Sequence, residues 1–439
     1  MELRTTEIAE ATAGRLVGPD LVVRGAAIDS RLVSGGELFV PVVAERDGHD
    51  FVPAALAAGA VAYLSSRPVD DGDPEADVAA IEVGATIVAL ADLGRLARGR
   101  VPDRVVGVTG SVGKTSVKDL LAAALGARWS TVASAGSFNN ELGVPLTLLS
   151  ASEATEALVV EMGARGRGHI ASLCDIARPT VGVVTAVAAA HTAMFGSLDE
   201  VAAAKGELVE ALDASGVAVL NADDPRVAAM AARTEARVLR YGSAPDADVR
   251  AEGAGLDGEL RPRFRLVSPW GAADVALAVR GEHMVGNALA AAAAALACDV
   301  PVEAVAAGLG KAELSRWRME LVRLPSGARV INDAYNANPA SMAAALRALA
   351  GLDARRRVAV LGQMAELGEA ADAEHRAIGD LARELGIEVV AVDAPAYGGT
   401  GVAGLDEAVA ALGPLGEGDA VLLKASRVVG LERLASRLR

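Results

Sequence analysis

The fold is decided by the stretch Val105-Val106-Gly107-Val108-Thr109-Gly110-Ser111-Val112-Gly113-Lys114-Thr115-Ser116. Its first part is an apolar run of β-branched residues, which is typical of an inner strand of a parallel sheet. Apolar residues then recur at helical spacing, so the stretch predicts a strand, a glycine-containing loop and the start of a helix. Such a loop presents main-chain N–H groups at a helix N-terminus, where an anion is stabilised.

The residues of this loop predict a phosphate site. Gly110 and Gly113 allow the backbone to turn its N–H groups toward an anion. Lys114 supplies a point charge, and the Thr115 hydroxyl is placed to hold Mg²⁺. The general pattern requires glycine at position 108, where this chain has valine. A glycine-rich turn with a solvated lysine is the alternative, but strand, glycines, lysine and helix together favour the phosphate site.

Length and composition indicate a globular protein of about three domains, because the chain has 439 residues. The net charge of −15 and the lack of a basic run argue against a nucleic-acid-binding surface. Two cysteines, Cys174 and Cys298, are too few for a disulfide framework and are expected to be buried thiols. We find no signal-peptide core and no bilayer-length apolar run, so we expect a cytoplasmic protein without membrane insertion.

The alternation of strand and helix patterns predicts three α/β domains, at residues 1–100, 101–312 and 313–439. The first is a small α/β domain, although surface loops would also account for its polar turns. The second carries the phosphate loop on a parallel sheet, and the third is a Rossmann-like parallel sheet. The predicted strands of the first domain cover 21–28, 37–43 and 61–64, and those of the third cover 329–332, 358–361, 389–392 and 420–423. An antiparallel segment over 249–279 and an alanine-rich helix over 283–298 complete the second.

A carboxylate of the second domain and the few lysines of the chain are further candidates for chemistry. Glu161 ends the apolar strand predicted over 157–161, and ligands bind at the carboxyl ends of parallel strands. We therefore expect a Mg²⁺ ligand there rather than a surface charge. Lysine is scarce, at positions 114, 118, 205, 311 and 424 among 42 basic residues. Each lysine that remains is a candidate for a task that arginine cannot perform, although codon bias would also explain the scarcity.

These residues resemble the Mur ligases, the ATP-dependent ligases that build the peptidoglycan stem peptide. The resemblance rests on residues 109–115, on 161–164, on His191 and on 204–207, which follow the family's order. Three further signatures resemble the branch that adds D-alanyl-D-alanine. They are residues 137–147, 332–342 and 361–368.

The resemblance implies a role for each matching residue and, as cofactors, ATP, two Mg²⁺ ions and a CO₂-derived carbamate on Lys205. The residues implied in catalysis are Lys114, Glu161, His191 and Lys205. Those implied in metal binding are Thr115, Glu161, His191 and Lys205. Those implied in ATP binding are Thr109, Gly110, Ser111, Gly113, Lys114, Thr115, Ser116, Asn287, Arg318, Asp333 and Asn336. Those implied in substrate binding are Ser30, Arg31, Gly48, His49, Asn139, Asn140, Lys424, Ser426 and Arg427.

The reaction implied by the resemblance joins D-Ala-D-Ala to the terminal carboxylate of UDP-MurNAc-tripeptide through an acyl phosphate, and we expect a monomer. Departures from the family pattern, among them His169, Ala186 and Met284, keep open a paralogue that joins a different acid and amine. A family member that adds a diamino acid or glutamates is a second alternative. A nucleotide-binding scaffold without catalysis is a third.

Overall fold

A computed structural model describes residues 1–70, 72, 77–188, 195–365 and 367–438. It confirms the predicted α/β class, with a parallel sheet at the centre, a second one toward the carboxyl terminus and a smaller amino-terminal unit. The exact domain boundaries, after residues 100 and 312, stay a prediction. Cys174 and Cys298 are free and buried as expected, and burial raises the pKa of each thiol to about 12. Within the described ranges, no helix is both long and apolar enough to cross a membrane.

The central unit is built on a six-stranded parallel sheet. The strand Val105–Thr109 lies in its interior, between Ala157–Glu161 and Val181–Val184. The strand order from edge to edge is Arg237–Tyr241, Val217–Asn221, Val181–Val184, Val105–Thr109, Ala157–Glu161 and Thr131–Ala133. Because all six strands are parallel, their carboxyl ends meet at one edge of the sheet, and this edge carries the phosphate loop and Glu161.

The helix that follows the phosphate loop, Lys114–Gly126, is called the loop helix below. It packs against Met284–Ala297, the predicted alanine-rich helix, and against Val302–Leu309. The alanine side chains of Met284–Ala297 from 288 to 295 are fully buried. Further helices of this unit are Gly143–Leu149, His169–Ala177, Leu198–Glu210 and Pro225–Ala228. The predicted antiparallel segment forms a three-stranded sheet of Arg250–Leu256, Pro262–Ser268 and Gly271–Ala276.

The amino-terminal unit contains a five-stranded sheet and a two-stranded sheet formed by Glu2–Arg4 and Val22–Arg24, and two of its three predicted strands are shorter than expected. The strand expected over 21–28 is two strands, Val22–Arg24 and Ala26–Ala27, because Gly25 between them has a φ of 79°. The strand expected over 37–43 is only Leu38–Phe39. The remaining strands are Glu2–Arg4, Arg15–Val17, Ala62–Ser65 and Ala79–Glu82, and the helices are Thr5–Ala11, Val52–Ala57 and Thr86–Arg98.

The carboxyl-terminal unit has a second six-stranded sheet, and all four of its predicted strands are confirmed. Its strand order is Glu320–Arg323, Arg329–Asn332, Asp419–Lys424, Arg356–Gly362, Glu388–Val392 and Thr400–Val402. The two edge strands were not predicted, and the first of them runs antiparallel to its neighbour. The helices are Pro339–Gly351, Ala371–Glu384, Leu405–Leu412 and Leu434–Arg437.

Candidate active site

The phosphate loop requires glycine at both predicted positions. Gly110 has a φ of 146°, and a Cβ there would lie 1.9 Å from Oγ1 of Thr185. Gly113 has a φ of 83°, and its Cβ would lie 2.7 Å from Oδ1 of Asn287. Lys114 folds back over the loop, with Nζ donating to the Gly110 carbonyl at 2.7 Å. The loop is therefore closely packed, and its conformation is preset before any ligand arrives.

The hydroxyls around the loop divide into two groups. Thr109 Oγ1 donates to the Met162 carbonyl at 2.8 Å, so this hydroxyl ties two strands together. Ser111 Oγ is buried and has no hydrogen-bond partner within the described residues. Thr115 and Ser116 are buried at the start of the loop helix. An unpartnered buried hydroxyl beside a phosphate loop fits a donor to a bound anion.

Glu161 presents one carboxylate oxygen that no described residue contacts by a hydrogen bond. The residue is 1% exposed, and its Oε1 accepts from Asn139 Nδ2 at 2.8 Å. Its Oε2 is buried and unpartnered among the described residues. Burying such a charged oxygen costs free energy unless a cation binds to it. Across the described part of the chain, no three His, Cys, Asp or Glu side chains gather as a metal cluster. A Mg²⁺ ion here would therefore depend on ligand phosphates and hydroxyls, as is usual for this metal.

Lys205 is buried on the helix Leu198–Glu210, with 2% of its surface exposed. Its Nζ has no hydrogen-bond partner among the described residues and lies 5.9 Å from the ring centre of Phe195. Burial, and secondarily the charge of Lys114, lowers the pKa of Lys205 to about 7. The amine is therefore substantially neutral at physiological pH. The predicted partner His191 lies outside the described residues.

A cleft of about 730 Å³ separates the phosphate loop from the carboxyl-terminal unit. It brings together most of the residues that the sequence predicts for ATP and the incoming amine. These residues are Ser111, Gly113, Lys114, Thr115, Ser116, Glu161, Asn287, Arg318, Asp333, Asn336, Lys424, Ser426 and Arg427. The guanidinium of Arg318 lies 4.2 Å from the ring centre of Tyr335. Residues that lie more than 300 positions apart in the sequence thus line one cavity.

A second cavity of about 650 Å³ adjoins the first and extends toward the amino-terminal unit, where Ile28 lines it. Lys205 and Asn140 also line it. Both cavities share the side chains of Lys114, Ser137, Asn139 and Arg165. Lys114 therefore stands where a ligand in one cavity would meet a ligand in the other.

The amino-terminal candidates are not among the residues that line these two cavities. Arg31 pairs with Asp29 at 2.6 Å and is 86% exposed in its side chain. A Cβ on Gly48 would lie 2.4 Å from the Val42 amide nitrogen, so glycine is needed there for close packing. His49 is buried and accepts from the Ser66 amide at 3.0 Å. Their role in substrate binding, like that of Ser30, stays a prediction.

The three candidate residues of the carboxyl-terminal unit differ in the contacts that their side chains make. Lys424 Nζ donates to Asp333 Oδ2 at 2.6 Å and to the Asn336 carbonyl at 2.9 Å. Ser426 Oγ accepts from the Ala365 amide at 2.8 Å. Arg427 stacks 4.3 Å from the ring centre of Trp317, and half of its side chain is exposed. Lys424 and Ser426 thus hold the loops of the cleft, whereas Arg427 lines the cleft with its guanidinium paired to Glu432 at 2.7 Å.

Sequence reasoning missed Arg165 and assigned no role to Ser137 or Tyr335. Ser137 and Tyr335 lie inside the family signatures 137–147 and 332–342, so the sequence could have assigned them a role. Arg165, which lines both cavities, lies four residues after Glu161 in the sequence. No spacing rule distinguishes it from the other arginines of the chain.

Comparison with known protein families gives three consecutive matches. The profile of the Mur ligase family catalytic domain matches residues 22–98, that of the Mur ligase middle domain matches 108–295, and that of the Mur ligase glutamate ligase domain matches 317–427. Among curated proteins, the UDP-N-acetylmuramoyl-tripeptide–D-alanyl-D-alanine ligase of Mycobacterium tuberculosis is 42% identical, over 100% of this chain and 98% of that protein. The enzyme of the same name from Escherichia coli is 37% identical, over 88% and 84%.

Solved structures agree with the sequence relatives. A crystal structure of MurF from Acinetobacter baumannii superimposes with a TM-score of 0.87 at 31% identity, covering 100% of this chain and 99% of that one. MurF from Thermotoga maritima in complex with ADP gives a TM-score of 0.82 at 28% identity, covering 95% and 97%. On this agreement of domains, sequence and fold, the chain belongs to the Mur ligase family.

Proposed function

We propose that this protein is an ATP-dependent ligase that joins D-Ala-D-Ala to the terminal carboxylate of UDP-MurNAc-tripeptide. The activity is the one that the names of its high-coverage relatives state. One observation of geometry carries the proposal, namely that the nucleotide cleft and the second cavity meet at Lys114. An ATP γ-phosphate over the phosphate loop and a carboxylate in the second cavity would be neighbours at that residue.

The chemistry that this arrangement supports is stepwise. A carboxylate oxygen attacks the γ-phosphorus, the bond to ADP breaks, and an acyl phosphate forms. The amine nitrogen of D-Ala-D-Ala then attacks the carbonyl carbon, loses a proton and expels phosphate. Two anions approach each other in the first step, so Lys114 and the loop N–H groups supply the electrostatic stabilisation.

The residues present fit a Mg²⁺ ion. Glu161 would hold it through the oxygen that lacks a protein partner, and the Thr115 hydroxyl would be a second ligand. When bound, the ion would neutralise phosphate charge as the γ-phosphate departs. His191 is the further ligand that the family resemblance implies. The count of two ions rests on that resemblance alone.

Lys205 fits the proposed carbamate because the residue is buried, its amine has no hydrogen-bond partner in the described part of the chain, and its pKa is lowered to about 7. CO₂ adds to the neutral amine, so an N–C bond forms while Nζ loses a proton. At pH 7 about half of such amines are neutral, against roughly one in three thousand at the ordinary lysine pKa. The product would present carboxylate-like oxygens beside Lys114, which arginine could not do.

The ligase proposal is tested by phosphate release from ATP with UDP-MurNAc-tripeptide, in the presence and absence of D-Ala-D-Ala. We expect release to require both substrates and to fall by about 10³-fold in Lys114→Met, since a group that stabilises developing charge is lost. Equal release with other amines, or none with both substrates present, would contradict the proposal.

The carbamate is tested separately with ¹³C-labelled bicarbonate and nuclear magnetic resonance. We expect one protein-bound carbamate signal in the native protein and none in Lys205→Arg, whose guanidinium does not react. A signal of equal intensity in both proteins would place the label elsewhere and reject this role for Lys205.

A further inference from the structure

Two adjacent charged residues of the loop helix, Lys118 and Asp119, take no part in the function proposed above. Neither is among the residues that line the two cavities. Lys118 is 2% exposed, the Asp119 side chain is 11% exposed, and Lys118 Nζ lies 2.7 Å from Asp119 Oδ1. Burying two charges carries a desolvation cost that only well-placed hydrogen bonds offset. The partners of this pair therefore indicate what it does.

Lys118 fixes the segment that leads to the carboxylate of Glu161. Its Nζ donates to the carbonyl oxygens of Ser134 at 2.8 Å and Gly136 at 3.0 Å. Three residues after Gly136, the Asn139 side chain donates to Glu161 Oε1 at 2.8 Å. Lys118 thus holds the start of a short segment whose end orients the carboxylate proposed to bind Mg²⁺.

Asp119 fixes the segment that leads to Arg318. Its Oδ2 accepts from the Ser315 amide at 2.8 Å, and its Oδ1 accepts from Ser315 Oγ at 3.2 Å. Trp317, two residues later, has a φ of 61°, which is costly for a bulky side chain and persists only where neighbours hold it. Arg318 follows and lines the nucleotide cleft.

The two segments meet again across the cleft. Ser137 Oγ contacts the hydroxyl of Tyr335, and Arg318 stacks on the ring of that tyrosine. The contacts close into a ring that runs from Lys118 through Gly136, Ser137, Tyr335, Arg318 and Ser315 back to Asp119. The loop helix is thereby joined at one point to both sides of the cleft.

We propose that Lys118 and Asp119 are positioning residues for ligation. Lys118 sets the orientation of Glu161 through the segment 134–139, and Asp119 sets the placement of Arg318 through Ser315. The proposal rests on the proposed function, because Glu161 and Arg318 have the stated roles only if ATP and Mg²⁺ occupy the cleft.

The Lys118 arm is tested by the Mg²⁺ concentration that gives half-maximal phosphate release at saturating ATP. We expect Lys118→Met to raise it about tenfold, as losses of residues behind a metal ligand usually do. The matched control is Arg98→Met, which removes another buried cation, 6% exposed, that donates to the Ala177 carbonyl at 2.8 Å. We expect that control to lower the melting temperature and leave the Mg²⁺ requirement unchanged.

The Asp119 arm is tested by the kcat/KM for ATP in Asp119→Ala and Asp119→Asn. We expect a decrease of about 10- to 100-fold in Asp119→Ala, because Ser315 loses its acceptor and Arg318 its placement. Asp119→Asn keeps an oxygen for the Ser315 amide, so it should recover most of the loss. If Lys118→Met does not give folded protein, this pair of variants decides the proposal.

Two results would overturn the inference. One is that Lys118→Met behaves as Arg98→Met does, and the other is that Asp119→Ala and Asp119→Asn are equally active. Glu161→Gln separates this failure from that of the proposed function. If Glu161→Gln raises the Mg²⁺ requirement and Lys118→Met does not, only the positioning role is wrong. If neither variant changes it, the metal role of Glu161 is wrong and the Lys118 arm falls with it.

Discussion

Lys118 and Lys205 lie in the same unit and are equally buried, at 2% exposure each. Lys118 Nζ has two carbonyl oxygens and a carboxylate within 3.0 Å. Lys205 Nζ has no hydrogen-bond partner among the described residues, and its pKa is lowered to about 7. Burial alone therefore does not decide what a lysine does. Lys118 holds two loop carbonyls in place, whereas Lys205, with no described partner, has the lowered pKa that favours reaction as a neutral amine.

The largest expected difference between the two lysines is in activity. Lys205→Ala should reduce ligation by about 10³-fold, because the proposed metal-binding oxygens are lost. Short carboxylic acids should restore part of the activity by occupying the vacated space. Steady-state phosphate release with and without acetate measures both effects. Unimpaired ligation by Lys205→Ala would place Lys205 outside the reaction.

The second difference is in how stability depends on pH. The folded pKa of Lys205 lies below the unfolded value of 10.5, so between about pH 7 and 10.5 the unfolded chain binds more protons. The penalty of burying the charge is full below pH 7 and is relieved as pH rises. Stability of the native protein relative to Lys205→Met should therefore rise by up to about 1.4 kcal/mol per pH unit in this window.

This dependence is measured as the urea midpoint at several pH values from 7.5 to 9.5, in CO₂-free buffer so that no carbamate forms. Arg98→Met serves as the control and should keep the pH dependence of the native protein, because a guanidinium stays charged over this whole range. Parallel curves for the native protein and Lys205→Met would mean that Lys205 is charged in the fold.

The third difference is in stability at fixed pH. Lys118→Met should lower the free energy of unfolding by about 3 kcal/mol, because two carbonyls and Asp119 lose their partner. The double variant Lys118→Met/Asp119→Asn should recover part of that loss, since no buried charge then lacks a partner. Thermal melting of both variants tests this, and a double variant less stable than Lys118→Met would contradict it.

The smallest effect is expected for a cation that is not buried. Arg383 pairs with Asp380 at 2.7 Å, and both side chains are largely exposed. Arg383→Ala should change the free energy of unfolding by no more than about 0.5 kcal/mol, because solvent screens such a pair. A larger loss on thermal melting would show that an ion pair need not be buried to matter here.

How much the sequence predicts depends on how local the cause is. The strands Ala157–Glu161 and Arg329–Asn332 were predicted to the residue, because an apolar run between polar turns is a local signal. Two strands of the amino-terminal unit, expected over 21–28 and 37–43, were predicted too long, and Gly25 breaks the first of them through a φ that composition does not reveal. The edge strand Glu320–Arg323 was missed because it is half-buried and paired on one side.

The site follows the same rule. The phosphate loop and the end of the strand at Glu161 could be predicted, since both depend on neighbours in the chain. The partner of Asp119 could not, because Ser315 lies 196 residues away. The lowered pKa of Lys205 was also beyond prediction, because it arises from tertiary burial and from the nearness of Lys114.

The alanine-rich helix Met284–Ala297 has a consequence for how rigidly the phosphate loop is supported. Alanine has no side-chain rotamers, so this surface under the loop helix loses no rotamer entropy on folding and has no second arrangement to adopt. A larger residue at a fully buried position that faces the loop helix would overpack this contact and displace the loop helix. The support of the phosphate loop is therefore fixed in shape, and any adjustment to a bound nucleotide falls to the side chains that line the cleft.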